Sequence, residues 1–213
     1  MKWPEISVII PTYNRPWVLR QTIDGLKKHL VYKGKVRYIV GIDGDIGHGK
    51  MFSGDGDIEL APGPNRGLGA NLNQLISHAG KYMLQMDDDH LLTQRLDLTP
   101  HVRKLKRDKT VGWIRLMGVG YHDYIAALEE NYWRVWWQSP ELYIPSNRPH
   151  LKHRRFHDRF GLYPEDVTLG ETEEGFCRQC KDKKSGPSVL IPLDVLTESA
   201  WRHIGESWQL KGR

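Results

Sequence analysis

The chain has 213 residues, with 31 lysines and arginines against 26 aspartates and glutamates, so its formal net charge is +5. Its hydrophobic content of 39% supports a folded core and excludes a wholly disordered chain. No apolar run approaches the roughly 20 residues that a membrane-spanning helix needs. Two cysteines, Cys177 and Cys180, are too few for a disulfide scaffold. Because the amino terminus also lacks a signal-peptide cleavage site, we expect a cytoplasmic protein with no integral membrane segment.

The first part of the chain predicts a strand, a helix and a second strand. Residues 7–10 form a short apolar run stopped by Pro11, which is typical of a buried parallel strand. Apolar residues then recur at helical spacing over residues 19–30. Residues 36–42 predict the second strand, which ends at Asp43.

The same alternation continues towards the middle of the chain. Residues 44–66 are rich in Gly, Asp and Pro and predict a long loop, and residues 72–79 predict a second helix. Residues 82–86 predict a third strand, which runs directly into the acidic residues 87–89. This β-α-β-α-β order predicts a mostly parallel sheet with helices on its faces. Ligands bind such sheets at the carboxyl ends of the strands, where Asp43 and the acidic run fall.

The second half of the chain is less regular. Residues 111–117 and 189–193 predict strands, and residues 121–138 are rich in aromatic side chains. Residues 145–170 predict a loop region. Residues 171–181 predict a helix with acidic residues in its first turn, where the helix dipole favours them.

The acidic run Asp87-Asp88-Asp89 carries the clearest chemical signal. Three adjacent carboxylates repel one another, and a cation among them relieves the repulsion. Mg²⁺ and Mn²⁺ prefer oxygen ligands and commonly share them with phosphate groups. Since Asp87 and Asp89 lie two residues apart at a strand end, one can contact a ligand while the other reaches a metal. A solvated acidic turn is the alternative.

Four segments together resemble the inverting family-two glycosyltransferases of the GT-A fold. They are SVIIPTYNR at 7–15, the strand ending at Asp43, NRGLGANLNQ at 65–74 and YMLQMDDDH at 82–90. The resemblance implies a GT-A-like α/β fold with a single Rossmann-like, mostly parallel sheet flanked by helices, and a less regular carboxy-terminal acceptor region. It implies transfer of a sugar from a nucleotide diphosphate sugar, a UDP-sugar by expectation, with Mn²⁺ or Mg²⁺ as cofactor.

The resemblance also assigns residues to the donor and the metal. The implied donor-binding residues are Pro11, Thr12, Tyr13, Asp43, Arg66, Asp87 and Asp88. The implied metal ligands are Asp87, Asp89 and His203, the last because WRHIGESW at 201–208 resembles a histidine-bearing segment of related transferases. For Arg66 and His203 an ordinary surface role is the alternative.

Two further segments, FGLYPED at 160–166 and GETEEGFCR at 170–178, resemble the acceptor segment of the same family. There an acidic residue serves as the catalytic base. This chain has Thr172 where the family often has that Asp, so the resemblance leaves three candidates, and we favour the first: Glu171, Glu173 and Glu174. The alternative is that these acids cap a helix.

No linker divides the chain, so we expect one domain over residues 1–213. Residues 1–90 would bind the nucleotide sugar, and residues 91–213 would hold the acceptor and the base. The acceptor stays open among a saccharide, a lipid phosphate, a protein and a modified DNA base. The basic residues within 148–159 favour an anionic one.

Three other functions compete with glycosyl transfer. A phosphohydrolase with Asp87 as nucleophile and Asp89 as acid would have Thr where Leu91 stands. A nucleotidyltransferase would have a Gly-rich, Arg-bearing loop in place of PTYNRPW at 11–17. A basic nucleic-acid-binding module would leave the strand-end carboxylates repelling phosphate.

Overall fold

The computed structural model describes residues 2–44, 51–52, 54–118, 124–183, 185–197 and 199–205. In chain order the elements are β1 (Ile6–Thr12), α1 (Pro16–His29), β2 (Leu30–Val31), β3 (Val36–Asp43), β4 (Ile58–Gly63), α2 (Gly67–His78), β5 (Tyr82–Gln85), β6 (His90–Leu92), β7 (Leu96–Asp97), α3 (Thr99–Arg107), β8 (Val111–Arg115), β9 (Ala126–Glu129), β10 (Tyr132–Val135), β11 (His150–His153), α4 (Arg155–Phe160), α5 (Leu169–Asp182), β12 (Ser188–Pro192), α6 (Leu193–Thr197) and β13 (Trp201–His203).

Within the described residues, nine strands form one sheet in the order β4-β3-β1-β5-β11-β8-β12-β10-β9. The first four of these run parallel, with Ile6 of β1 opposite both Val36 of β3 and Tyr82 of β5. All residues of β1 are buried, because the helices that connect the parallel strands cover both faces of the sheet. The α/β fold class is confirmed.

The sheet is mixed rather than mostly parallel. β11 lies antiparallel to both of its neighbours, β5 and β8, and β12, β10 and β9 form an antiparallel edge. Of the eight pairings in the described part of this sheet, four are antiparallel. The predicted parallel order therefore holds for the amino-terminal half, while the other half has a single parallel pair in the described sheet, β8 with β12.

Two segments predicted as loops contain regular structure. Residues 44–66 include β4, an edge strand whose sequence IELAPG contains the Pro and Gly that normally signal a turn; a sheet edge tolerates both. Residues 145–170 include β11 and α4. The sequence of β11, HLKH, does not predict a central strand, because it is largely polar. Its buried polar side chains have partners only in the folded chain.

The core lies in two layers, one on each face of the sheet. Along β1, Val8 and Ile10 face the layer that contains Ile23 of α1, whereas Ile9 faces the layer that contains Leu72 of α2. The carboxyl ends of β1, β3 and β5 consequently meet at one edge of the sheet, between the two layers of helices. None of the helices in the described ranges has the length and apolar character needed to cross a bilayer.

Candidate active site

A cleft of about 560 Å³ lies where β1, β3 and β5 end, and we call it the first cleft. Nine of the twelve site residues predicted from the sequence line it: Pro11, Thr12, Tyr13, Asp43, Asp87, Asp88, Asp89, Glu173 and His203. The other three, Arg66, Glu171 and Glu174, point elsewhere. The residues at the ends of β1, β3 and β5 share this cavity because parallel strands end at the same edge, and α5 and β13 bring Glu173 and His203 to it.

Asp88 anchors the acidic run to the fold. Its carboxylate is fully buried, where it accepts a hydrogen bond from Thr12 Oγ1 (2.6 Å) and pairs with Arg15. Its main-chain carbonyl accepts from Thr22 Oγ1 (2.7 Å). Burial raises the pKa of Asp88 to about 6, although Arg15 and Thr12 act in the opposite direction. These contacts fix the turn that presents the neighbouring carboxylates.

Asp89, His90 and His203 bring three potential metal-ligating atoms within 4.8 Å of one another. β13 pairs with β6, with His203 opposite His90, and His203 Nε2 lies 3.3 Å from Asp89 Oδ2. In the described structure, the buried Nδ1 of His90 and Oδ1 of Asp89 have no hydrogen-bond partner. One oxygen and two imidazole nitrogens suit a divalent ion, and the two unpartnered atoms would gain from binding one. The residues therefore fit a metal ion.

His90 was not predicted as a ligand, although it directly follows the acidic run. Burial lowers its pKa to about 4, so its imidazole is neutral near pH 7, as metal ligation requires. Arg15 Nη1 donates to Asp89 Oδ2 (2.9 Å), which places a fixed cation beside the same cluster.

Asp87 stands beside the Asp89–His90–His203 cluster, with its Oδ2 3.8 Å from His90 Nδ1. Its pKa is raised well above the usual range, first by burial and then by repulsion from Asp89, Asp88 and Glu173. A cation or a hydrogen-bond donor bound in the cleft would relieve this repulsion.

Asp43 joins the end of β3 to the start of α2. Its carboxylate accepts hydrogen bonds from the main-chain N–H groups of Arg66 (2.7 Å) and Gly67 (2.9 Å), where the helix dipole favours an anion. The half-exposed ring of Tyr13 lies at the mouth of the first cleft. The Arg66 side chain turns to Glu165 (2.8 Å), away from the cleft.

The three acids of α5 have different surroundings. Glu171 is exposed and caps its own helix, since its carboxylate accepts from Thr168 N (2.9 Å) and Thr168 Oγ1 (2.7 Å). Glu174 pairs with Arg178 one turn along. Glu173 faces the first cleft, and its Oε1 accepts from the main-chain N–H of Asn147 (2.8 Å).

A second cleft, of about 570 Å³, adjoins the first. The two share four lining residues: Asp87, Asn147, Glu173 and His203. The residues that line the second cleft alone are His90, Arg115, Met117, Tyr143, Ser146 and Arg148. Two cavities with carboxylates on their common wall can hold two substrates with a proton acceptor between them.

The fold is a large α/β sheet with an acidic cleft at the ends of its strands. This layout defines a GT-A-like class of protein. Residues 7–167 match the profile of Glycosyl transferase family 2, and the chain belongs to this family. The predicted family is confirmed. A search of curated proteins finds no match.

Several solved structures share the fold. TarS 1–349 of S. aureus in complex with UDP has a TM-score of 0.69 and 15% identity over 93% of this chain and 60% of that chain. The same protein in complex with UDP-GlcNAc gives 0.67 and 15%, over 93% and 58%. The mannosyltransferase PcManGT from Pyrobaculum calidifontis, in complex with GDP-Man and Mn²⁺, gives 0.60 and 17%, over 89% and 55%.

At these identities the solved structures establish the fold, and they confirm the predicted GT-A-like architecture. This chain spans 36% of one TarS chain and 60% of a shorter one. It therefore corresponds to part of the length of these proteins.

Proposed function

We propose that the protein is a metal-dependent inverting glycosyltransferase that moves a sugar from a nucleotide diphosphate sugar, a UDP-sugar, to an acceptor hydroxyl. The observation that carries the proposal is the common wall of the two clefts, where Asp87 and Glu173 separate an acidic, strand-end cavity from a second cavity of similar size. Family membership supports the reaction class. The UDP and UDP-GlcNAc bound to TarS support the choice of nucleotide.

We assign the donor to the first cleft. Tyr13 and Asp43, where the family resemblance expects the nucleoside, line it together with the acidic run. Asp43 ends β3 and the acidic run follows β5, and these two strands lie on opposite sides of β1. Gly67 and Leu68 at the start of α2 also line this cleft, and the main-chain N–H groups of Arg66 and Gly67 at that helix end are already bonded to the Asp43 carboxylate.

We propose Asp89, His90 and His203 as the residues that would hold a divalent ion. Of the two expected ions, Mn²⁺ suits the two imidazole nitrogens better than Mg²⁺, which prefers oxygen ligands. Their ligating atoms converge, and two of those atoms have no other partner in the described structure. When bound, such an ion offsets the negative charge that grows on the departing nucleoside diphosphate. Arg15, fixed by Asp88 and Asp89, adds a second positive charge on the same side.

We propose Glu173 as the catalytic base, in place of the Glu171 that the sequence favoured. Glu173 lines both clefts, whereas Glu171 is committed to its capping box and Glu174 to Arg178. As the acceptor oxygen bonds to the anomeric carbon, its proton passes to the Glu173 carboxylate and the bond from the anomeric carbon to the diphosphate breaks. A single displacement of this kind inverts the configuration at that carbon.

The continuous sheet supports the proposal that residues 1–90 and 91–213 act as one domain. A cytoplasmic location stays part of the proposal, and the free thiols of Cys177 and Cys180 agree with a reducing compartment.

The donor assignment is tested by titrating UDP into the protein calorimetrically, with and without Mn²⁺. We expect binding that depends on Mn²⁺ and an affinity at least about tenfold lower in Asp89→Asn, because a ligand of the ion is lost. Asp24→Asn, which changes an exposed aspartate paired with Arg20 on α1, is the matched control and should bind normally. Equal UDP affinity with and without the metal, or in Asp89→Asn, would contradict the metal role.

A further inference from the structure

The second cleft has opposite charges on its two sides. Its carboxylates, Asp87 and Glu173, lie on the wall shared with the first cleft. Among the residues that line the second cleft alone, none is acidic and two are arginines, Arg115 and Arg148. A bound molecule would thus meet the base at one end and two guanidinium groups at the other.

Arg115 is an arginine at the end of β8 with neutral partners. It is 2% exposed, and its Nη1 donates to the Tyr124 hydroxyl (2.7 Å) and the Tyr143 carbonyl (2.9 Å). Its buried Nε has no partner, and no carboxylate among the described residues pairs with it. A buried charge without a counter-ion is costly, so an anion in the cleft would be stabilised there.

Arg148 lines the same cleft as Arg115. Burial lowers the pKa of Arg115, and repulsion from Arg148 adds to the effect, so the two cations are close enough to interact. Arg148 is exposed, its Nη1 donates to the Gly118 carbonyl (2.6 Å), and no carboxylate in the described ranges pairs with it. Two unpaired guanidinium groups beside one cavity match a phosphate group, which accepts several charge-assisted hydrogen bonds.

The main chain fixes Arg148 relative to the base. The preceding residue, Asn147, donates its N–H to Glu173, and the Arg148 carbonyl accepts a hydrogen bond from the buried ring of His150 (2.7 Å). A phosphate held by Arg148 would consequently lie at a set distance from the Glu173 carboxylate.

We propose that Arg115 and Arg148 bind a phosphate group of the acceptor, so that the acceptor is a phosphorylated sugar with its free hydroxyl at Glu173. This rests on the proposed glycosyl transfer and names its acceptor class. A cavity of about 570 Å³ has the size of a small-molecule site. The phosphate takes no part in bond making: the hydroxyl oxygen gains the glycosyl bond, and its proton goes to Glu173.

The experiment titrates glucose 6-phosphate and glucose into the protein already saturated with UDP and Mn²⁺, so that the diphosphate position in the first cleft is filled. We expect glucose 6-phosphate to bind at least about tenfold more tightly than glucose, because charge-assisted hydrogen bonds are the stronger ones. Arg148→Gln should remove most of this preference and Arg148→Lys should restore part of it. The control Arg95→Gln, an exposed arginine outside both clefts, should keep it.

The methyl phosphodiester of glucose 6-phosphate is a third probe, since it distinguishes a terminal phosphate from one inside a longer chain. A preference for either phosphorylated probe over glucose, lost in Arg148→Gln, supports the inference. Equal binding of glucose and both phosphorylated probes, or an unchanged preference in Arg148→Gln, overturns it while UDP binding still supports the donor site. Absence of UDP binding overturns the proposed function and this inference with it.

Discussion

Two central strands of the same sheet, β1 and β11, show how differently the two halves of the molecule are built. β1 is buried and largely apolar, and the polar residues that serve the first cleft begin at its last residue, Thr12. β11 is equally central, but it buries Lys152, whose Nζ donates to Gln85 Oε1 (2.5 Å), and His150, which stacks on Trp113 with ring centroids 3.5 Å apart.

The difference teaches where each half gets its order. Apolar burial holds the strands beneath the first cleft, and that driving force is insensitive to pH, whereas the contacts of Asp88 with Thr12 and Arg15 that fix its acidic turn are polar. The second cleft stands on strands and loops held by buried polar contacts, which are favourable only while each partner is present.

Of the substitutions that test this difference between the two halves, a change of the proposed base should have the largest effect, which is on catalysis. Glu173→Gln should lower the Mn²⁺-dependent release of UDP from UDP-sugars by roughly 10²–10⁴-fold, because a general base contributes about that much. UDP affinity should stay the same, since the substitution leaves the Asp89, His90 and His203 cluster intact. Glu174→Gln is the matched control on the same helix. Loss of activity in Glu171→Gln, with Glu173→Gln still active, would move the base to Glu171.

The next effect is on stability, at the contact between the two halves where α2 packs against residues 163–165. A Cβ atom at Gly69 would lie 1.8 Å from the carbonyl oxygen of Pro164, which is main chain and cannot rotate away. Gly69→Ala should therefore lower the free energy of unfolding by about 3 kcal/mol, measured by urea denaturation. Gly170→Ala, where no atom is within 4 Å, is the control. An unchanged midpoint in Gly69→Ala would show that the main chain at Pro164 can shift at little cost in free energy.

The smallest expected effect is on the pH dependence of the free energy of unfolding, through a histidine in the carboxy-terminal half. His101 of α3 is buried against the Tyr132 hydroxyl (2.9 Å), and burial lowers its pKa to about 4 from 6.5. The unfolded chain then binds a proton that the folded chain does not, so this stability is full above pH 6.5 and falls as pH drops towards 4. His101→Gln should reduce the loss between pH 7 and pH 5 by about 2 kcal/mol in urea titrations. The same loss in both proteins would exclude His101 as its source.

Sequence patterns predicted the amino-terminal half well because local rules govern it. Apolar β-branched runs mark β1 and β3, helical spacing marks α1 and α2, and parallel connectivity carries Asp43 and Asp87 to one edge. The helix predicted at 171–181 is α5, which begins two residues earlier, where Thr168 and Glu171 form a capping box.

The remainder depends on partners distant in the chain. Nothing local tells that Glu173, rather than Glu171, faces a cavity, because that follows from the packing of α5 beside Asn147. His90 becomes a candidate ligand only once β13 brings His203 opposite it. The register of β11 likewise needs Gln85, which lies 67 positions from Lys152.

The pairing of β13 with β6 has a consequence for the order of events at the site. In the described structure, β13 hydrogen-bonds to no other strand, and it delivers His203 across a separation of more than a hundred residues to Asp89 and His90. A ligand gains binding free energy from His203 only in molecules in which β13 is paired with β6. The pairing of β13 with β6 and the binding of the ligand are therefore linked equilibria, and each stabilises the other by the same free energy.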